Sequence, residues 1–237
     1  MGTRLRPVHA SLPKGLLTVG GVTLVPRSIE QLRSAGIREI VLVTGWGAEA
    51  YERMVVERFP FVRCVHNPDF ATTGSMHSLY LAREALPNDF LLLESDLLYE
   101  PRALRELLAA PRGDYVLVSG PTGLGDEVFT YAEGGRLVAL SKTRRDRTPP
   151  SGEFTGISRV TAEFMRILCR HYEERGVTRA GNYPYDDAFT ALAPAHPLWL
   201  LSVPDLVWCE IDDPQHHALA LARVLPALGR QPRTVSA

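Results

Sequence analysis

The feature that most constrains the fold is a switch of hydrophobic period along the first hundred residues. Short unbroken apolar runs alternate there with segments whose apolar residues recur every three or four positions. Ile40-Val41-Leu42-Val43 and Phe90-Leu91-Leu92-Leu93 have strand length and no polar alternation, so strands over 39–43 and 90–94 are expected to be covered on both faces. Residues 24–35 predict a helix with Ile29, Leu32 and Ala35 on one face and Gly36 as its stop. Further helices are expected over 49–59 and 75–85, and a short strand over 62–65. This alternation is the pattern of an α/β fold, a mostly parallel open sheet with helices on both faces.

Beyond Pro111 the texture changes to short β-prone pieces at 115–119, 127–132 and 136–140 between Gly and Pro turns, which predicts a small mixed β extension. A strongly periodic helix over 161–175 carries Phe164, Ile167, Leu168 and Tyr172 inward and stops at Gly176. A helix over 186–193, strands over 198–203 and 207–210, and a last helix after Asp213 that Pro226 ends or kinks complete the expectation. No internal repeat is evident, and 144–151 reads as a basic, proline-containing loop. With 237 residues, 45% of them hydrophobic, one domain over 1–237 is expected.

Charge and cysteine usage narrow the function classes. A formal net charge of −1 suggests neither a nucleic-acid groove nor a membrane-binding face, and the apolar runs fall far short of the ~20 residues of a membrane helix. Cys64, Cys169 and Cys209 are widely spaced with no Cys-x-x-Cys, so they read as reduced small hydrophobes without zinc. Arg4 and Arg6 are not followed by the apolar core of a signal peptide, and a cytoplasmic location is the default expectation.

The most specific chemistry lies in the first seventeen residues. Gly2-Thr3-Arg4-Leu5-Arg6-Pro7 is followed by Pro13-Lys14-Gly15-Leu16-Leu17. Glycines let backbone N–H groups close around phosphate oxygens, while Arg4 and Lys14 neutralise charge. Of 26 basic residues only Lys14 and Lys142 are lysines, which points to a compact ammonium at position 14. Both halves, at this spacing, resemble the nucleotide-binding signature of the nucleotidyltransferases. The resemblance implies a Rossmann-like sheet of the nucleotide-diphospho-sugar transferase type, with Gly2 and Thr3 at the nucleotide and Arg4 and Lys14 at the triphosphate.

In that family a buried strand precedes the loop, whereas here no apolar run precedes Gly2. The expectation is that Met1 is an internal methionine with about ten residues upstream, and that without that central strand two neighbouring strands would keep unpaired backbone groups.

Carboxylates close two other apolar strands. Glu94-Ser95-Asp96 follows the 90–94 run at the carboxyl edge of the sheet, where Asp96 either holds Mg²⁺ against a transferring phosphate or caps a helix starting near Pro101. Glu210-Ile211-Asp212-Asp213 follows the late strand: Asp213 is simplest as an N-cap with Pro214 at the first helical position. Glu210 and Asp212 alternate and so share a face. The resemblance implies a second metal carboxylate in this motif, with Asp96, Asp212 and Glu210 as the metal set.

Asn67-Pro68 through Thr73-Gly74-Ser75-Met76-His77-Ser78 reads as a turn opening a helix, suited to a base or a phosphate. Ser78-Leu79-Tyr80-Leu81-Ala82 and Leu92-Leu93-Glu94-Ser95-Asp96 are similar to segments of the phosphocholine and aminoethylphosphonate cytidylyltransferases. That branch implies CTP and a small phosphonate or phosphomonoester as substrates, with Asn67, Thr73, Gly74, Ser75 and Ser78 near the nucleotide. Lys142 either binds the acceptor phosphate or belongs to a solvated basic loop with Arg144, Arg145 and Arg147, and Gly156-Ile157-Ser158 resembles a family strand that returns to the site. Tyr183, Tyr185, Asp186 and Asp187 either form a pocket for a cationic acceptor, with Tyr185 and Asp187 as binding residues, or are a tyrosine-rich loop capping a helix. His216 and His217 point apart and make a poor metal pair. A sugar-1-phosphate nucleotidyltransferase using UTP or dTTP and an inactive nucleotide-binding protein are the alternatives; a homodimer is compatible, and oligomeric state stays open.

Overall fold

The computed structural model describes residues 12–177 and 181–229. A 3-10 turn at Lys14–Leu16 leads into a hairpin of β1 (Thr18–Val19) and β2 (Val22–Thr23), and α1 (Leu24–Ser34) follows directly. Then come β3 (Ile40–Thr44), α2 (Ala48–Arg58), β4 (Val62–His66), α3 (Ser75–Leu81), β5 (Phe90–Leu93), β6 (Leu97–Tyr99) and α4 (Arg102–Ala109). The second half holds β7 (Asp114–Ser119), β8 (Phe129–Glu133), β9 (Arg136–Ser141), β10 (Gly152–Val160), α5 (Ala162–Glu174), α6 (Tyr185–Leu192), β11 (Leu198–Ser202), β12 (Trp208–Glu210), α7 (Pro214–Leu219) and α8 (Leu225–Gly229). No helix among the described residues is long and apolar enough to cross a membrane.

The expected α/β class holds, but the sheet is mixed rather than mostly parallel. Its order is β5-β10-β7-β11-β9-β8, with the end of β10 also pairing β8. Among the described residues only β7–β11 and the separate β3–β4 pair run parallel. The reason is β10, a nine-residue strand legible in sequence only at its middle, which lies antiparallel between β5 and β7. Gly156, at φ +72°, sits within the register shift between Phe154 and Ser158. A Cβ there would stand 3.1 Å from a Glu94 carboxylate oxygen, so conformation and space both require glycine.

The period-two pattern of β7 shows why the sheet is covered on two faces. Val116 and Val118 enter the core under α3, α5 and α6, with Phe164, Leu168, Tyr172 and Phe189. Leu117 enters the opposite core, with Leu104, Leu107, Tyr99 and Ile157. Thr161 caps α5, its side chain accepting from the Phe164 N–H.

β3 and β5 depart from the expectation of full burial: both are half-buried along their length. Among the described residues β3 pairs only with β4, and β5 only with β10. A cleft of about 750 Å³ opens between their other edges, walled by Val25, Ile29 and Leu32 of α1 and by Leu79 of α3.

Pro226 does not end the last helix. A wider π-type turn at Ala220–Val224 precedes it and the helix resumes through Gly229, which accommodates the missing N–H of proline. The 75–85 helix is shorter than expected: α3 stops at Leu81, and Arg83–Ala85 forms a 3-10 turn.

Candidate active site

Two short antiparallel strands build the acidic centre. β6 and β12 pair Leu97 with Glu210 and Leu98 with Cys209, and the Ile211 N–H donates to the Asp96 carbonyl at 3.0 Å. Cys209 and Ile211 are buried with Leu17, Leu24 and Leu98. Strand alternation therefore turns Glu210 and Asp212 away from that core, one on either side of the Asp96 level.

Lys14 closes the arrangement. Its ammonium lies 3.2 Å from Asp96 Oδ2 and also pairs with Asp212 Oδ1. The turn carrying it is held by Tyr51 of α2. The phenol is buried and pushed up to about 12, chiefly by burial, and it bonds to Gly15 and Ser95. A Cβ at Gly15 would come within 2.7 Å of that hydroxyl, so the Lys14 turn fits tightly between α2 and the end of β5. Asp96 does not cap α4: Pro101 occupies the cap position and no side chain bonds there.

Glu94, Asp96 and Glu210 bring one carboxylate oxygen each within 4.8 Å of one another. Burial first, and repulsion from Asp96 second, push Glu94 up to about 7 and Glu210 up to about 8. Lys14 acts in the opposite direction on Glu210, and Lys142 on Glu94. Oxygen donors crowded in this way, with Glu94 and Glu210 raised in proton affinity, form a set that a hard divalent cation would relieve, and the donor chemistry fits Mg²⁺.

On the far side, Tyr185 at the start of α6 donates its hydroxyl to Glu94 Oε1 at 2.6 Å. Burial, followed by the Glu94 charge, raises that phenol well above its ordinary value. Asp186 lies in the same field: its carboxyl is raised chiefly by burial, with Lys142 opposing. Lys142 itself is exposed just beyond β9. Asp187, chosen from the sequence as a binding residue, is exposed to solvent, and its neighbour Asp186 is the carboxylate that interacts with Glu94 and Lys142.

A profile model of the MobA-like NTP transferase domain matches residues 1–230. The chain belongs to that family. This NTP transferase domain is 29% identical over 241 residues to the CMP-5'-(3-aminopropyl)phosphonate synthase of Streptomyces rubellomurinus, across 98% of this chain and 38% of that protein. It is 33% identical over 148 residues to the choline-phosphate cytidylyltransferase of Streptococcus pneumoniae, across 59% of this chain and 64% of the other. The chain thus spans less than two thirds of either relative. In fold it is similar to the inositol-1-phosphate CTP transferase of T. maritima, with a TM-score of 0.82, 20% identity and coverage of 100% and 94% of the two chains. The CTP:phosphocholine cytidylyltransferase of Streptococcus pneumoniae gives a TM-score of 0.76 at 20% identity, covering 93% of each chain.

Of the residues expected at the site of this transferase domain, Lys14, Asp96, Asp212 and Glu210 converge, and Tyr185 and Lys142 adjoin them through Glu94. Gly2, Thr3 and Arg4 lie outside the described residues. Ser75 and Ser78 line the cleft beside Glu94, Asp96 and Tyr185, and the Ser75 hydroxyl accepts the Tyr185 N–H at 3.1 Å.

Asn67 is buried and committed to its own turn. Its amide donates to Thr73 and Ser78 hydroxyls at 3.2 and 3.1 Å, and its carbonyl accepts the Asp69 N–H at 2.9 Å. The Thr73 hydroxyl donates to the Asp69 carbonyl at 2.7 Å. Gly74 is required by packing: a Cβ would stand 2.3 Å from the Tyr183 carbonyl oxygen, and that oxygen accepts the Met76 N–H at 3.2 Å. The start of α3 is thereby covered by the chain itself at Gly74, and Asn67 and Thr73 bond within the turn that leads into it.

Sequence reasoning gave Glu94 and Tyr51 no role of their own, placed Asp186 in the pocket without choosing it as a binding residue, and considered His216 only as a metal ligand. Glu94 carried a usable signal, since it stands two residues before Asp96 as Glu210 stands two before Asp212. Tyr51 carried none, because its partners Gly15 and Ser95 lie far from it in sequence, whereas the backbone partner of His216 is only four residues away.

Proposed function

We propose that this domain is a cytidylyltransferase that joins CMP from CTP to a small phosphonate or phosphomonoester and releases pyrophosphate. The observation that carries the reading is the meeting of Lys14 with Asp96 and Asp212 beside Glu94 and Glu210. The choice of nucleotide and acceptor is supported by the relatives, whose names specify CMP-phosphonate synthesis, choline phosphate and 2-aminoethylphosphonate.

The reaction is an in-line displacement. An acceptor phosphonate or phosphate oxygen attacks the α-phosphorus of CTP and forms a new P–O bond, while the bond to the β-bridging oxygen breaks and its electron pair leaves with pyrophosphate. Such a transfer needs position and charge neutralisation rather than a covalent enzyme intermediate. Lys14 neutralises the triphosphate, and Arg4 is assigned to the same role by its motif. Asp96, Asp212 and Glu210, together with Glu94, would hold Mg²⁺, which when bound supplies Lewis-acid stabilisation of the charge developing on the phosphates. Lys142 attracts the acceptor anion, and Tyr185 and Asp186 offer an aromatic and anionic surface to a cationic tail on it.

The test is Mg²⁺-dependent pyrophosphate release by the full chain. Each common nucleoside triphosphate is run against phosphocholine, aminoalkylphosphonates and sugar 1-phosphates. Release with CTP and a small phosphonate or phosphocholine is expected; release confined to UTP or dTTP with a sugar phosphate overturns the substrate assignment.

A further inference from the structure

The imidazole of His216 is buried, with 3% of its side chain exposed, on the first turn of α7, and the proposed reaction leaves it without a role. Its Nδ1 lies 3.2 Å from the Asp212 backbone nitrogen. A backbone N–H can only donate, so Nδ1 carries the lone pair and a neutral ring carries its proton on Nε2. That nitrogen faces Asp126 Oδ1 at 3.5 Å and Asp213 Oδ2 at 3.6 Å. Asp213 in turn caps α7, accepting the Gln215 and His216 N–H groups at 2.7 and 2.9 Å.

Residues 212–216 thus close a reciprocal loop. The cap residue holds the backbone of the third helical residue, and that residue's side chain reaches back to the chain just before the cap. It is a capping box displaced by one position, with imidazole in place of the usual Glu or Gln. The displacement matters because the amide it holds belongs to Asp212, whose carboxylate pairs with Lys14. Asp212 stands between β12 and α7, one residue past Ile211, whose N–H bonds the Asp96 carbonyl.

We propose that His216 is a positioning residue that fixes the Asp212 backbone and so aims its carboxylate at Lys14 and the acidic centre. The consequence for metal affinity rests on the Mg²⁺ role proposed above; the consequence for Asp212 does not.

The experiment compares the wild type with His216→Leu, which keeps apolar bulk without an acceptor, and His216→Asn, whose side-chain oxygen can take the place of Nδ1. Hydrogen exchange at the Asp212 amide and calorimetric Mg²⁺ affinity are measured on each. His216→Leu is expected to lose protection of that amide and about tenfold or more in Mg²⁺ affinity, and His216→Asn to restore most of both. A His216→Leu protein with unchanged Asp212 protection overturns the proposal. A wild type that binds no Mg²⁺ overturns the metal reading alone, and amide exchange still decides the role of His216. Should the leucine variant not fold, the ¹⁵N spectrum of wild-type His216 decides: a pyridine-type Nδ1 supports the assignment and a protonated Nδ1 refutes it.

Discussion

Divalent-ion binding at the acidic centre is expected to expel protons in a number the structure sets. Glu94 is raised to about 7 and Glu210 to about 8 by burial and by the charges crowded on them. At pH 7 the interacting pair therefore carries together about one proton or more, and well above pH 8 it carries few. Binding of Mg²⁺ requires the carboxylates ionised, so titration near pH 7 should release about one proton or slightly more per ion, and titration near pH 9 almost none. Calorimetry in buffers of different ionisation enthalpy reads this number as the slope of apparent enthalpy against buffer enthalpy. The sign for the metal-free protein follows from the same shifts. Because the folded state binds these protons more tightly than the unfolded chain, stability is greatest below about pH 4.5 as far as this pair is concerned and declines as pH rises through about 8. A flat slope at pH 7 in the presence of measurable Mg²⁺ binding would refute the reasoning, since the carboxylates would then be ionised before the metal arrives.

Three other outcomes are expected. Asp96→Asn preserves shape but removes a charge from between Lys14 and Glu94, so turnover should fall by roughly 10²–10³ with the circular dichroism spectrum retained; unaltered turnover would remove Asp96 from the site. Gly74→Ala drives a methyl group into the Tyr183 carbonyl, which costs about 1–3 kcal/mol and should lower the unfolding midpoint by roughly 2–12 °C; a midpoint equal to wild type would contradict the packing described. Amides of β3 and β5 should exchange faster than those of β7, which has partners on both sides, and equal protection would mean that the cleft edges are covered.

The clustered acids show how far a linear reading reaches. Asp96, Glu210 and Asp212 were legible because each terminates or follows an apolar strand, where a carboxylate has no place in the core and alternation assigns it a side. The N-cap role of Asp213 was legible for a local reason as well, since its partners are the next turn of its own chain. The choice between Asp186 and Asp187 was not, because adjacent helical residues point in different directions and only the packing of Tyr185 against Glu94 fixes which one faces inward. Asn67 illustrates the converse: its composition suited ligand binding, and the turn uses its amide and carbonyl internally.

The sequence by itself determined the class of fold, the helix boundaries to within a residue or two in most cases, and the chemical character of the site. These rest on period, capping and turn residues, which act over a few positions. Only the tertiary structure decided that the sheet is mixed, since β10 takes its place between β5 and β7 through pairings some sixty and forty residues distant. It alone decided that β6 and β12 pair, and that pairing brings Asp96 and Asp212 together where the Lys14 turn places its ammonium. Strand partners across such separations are selected by collective burial on both sheet faces, a quantity that no local stretch of sequence contains.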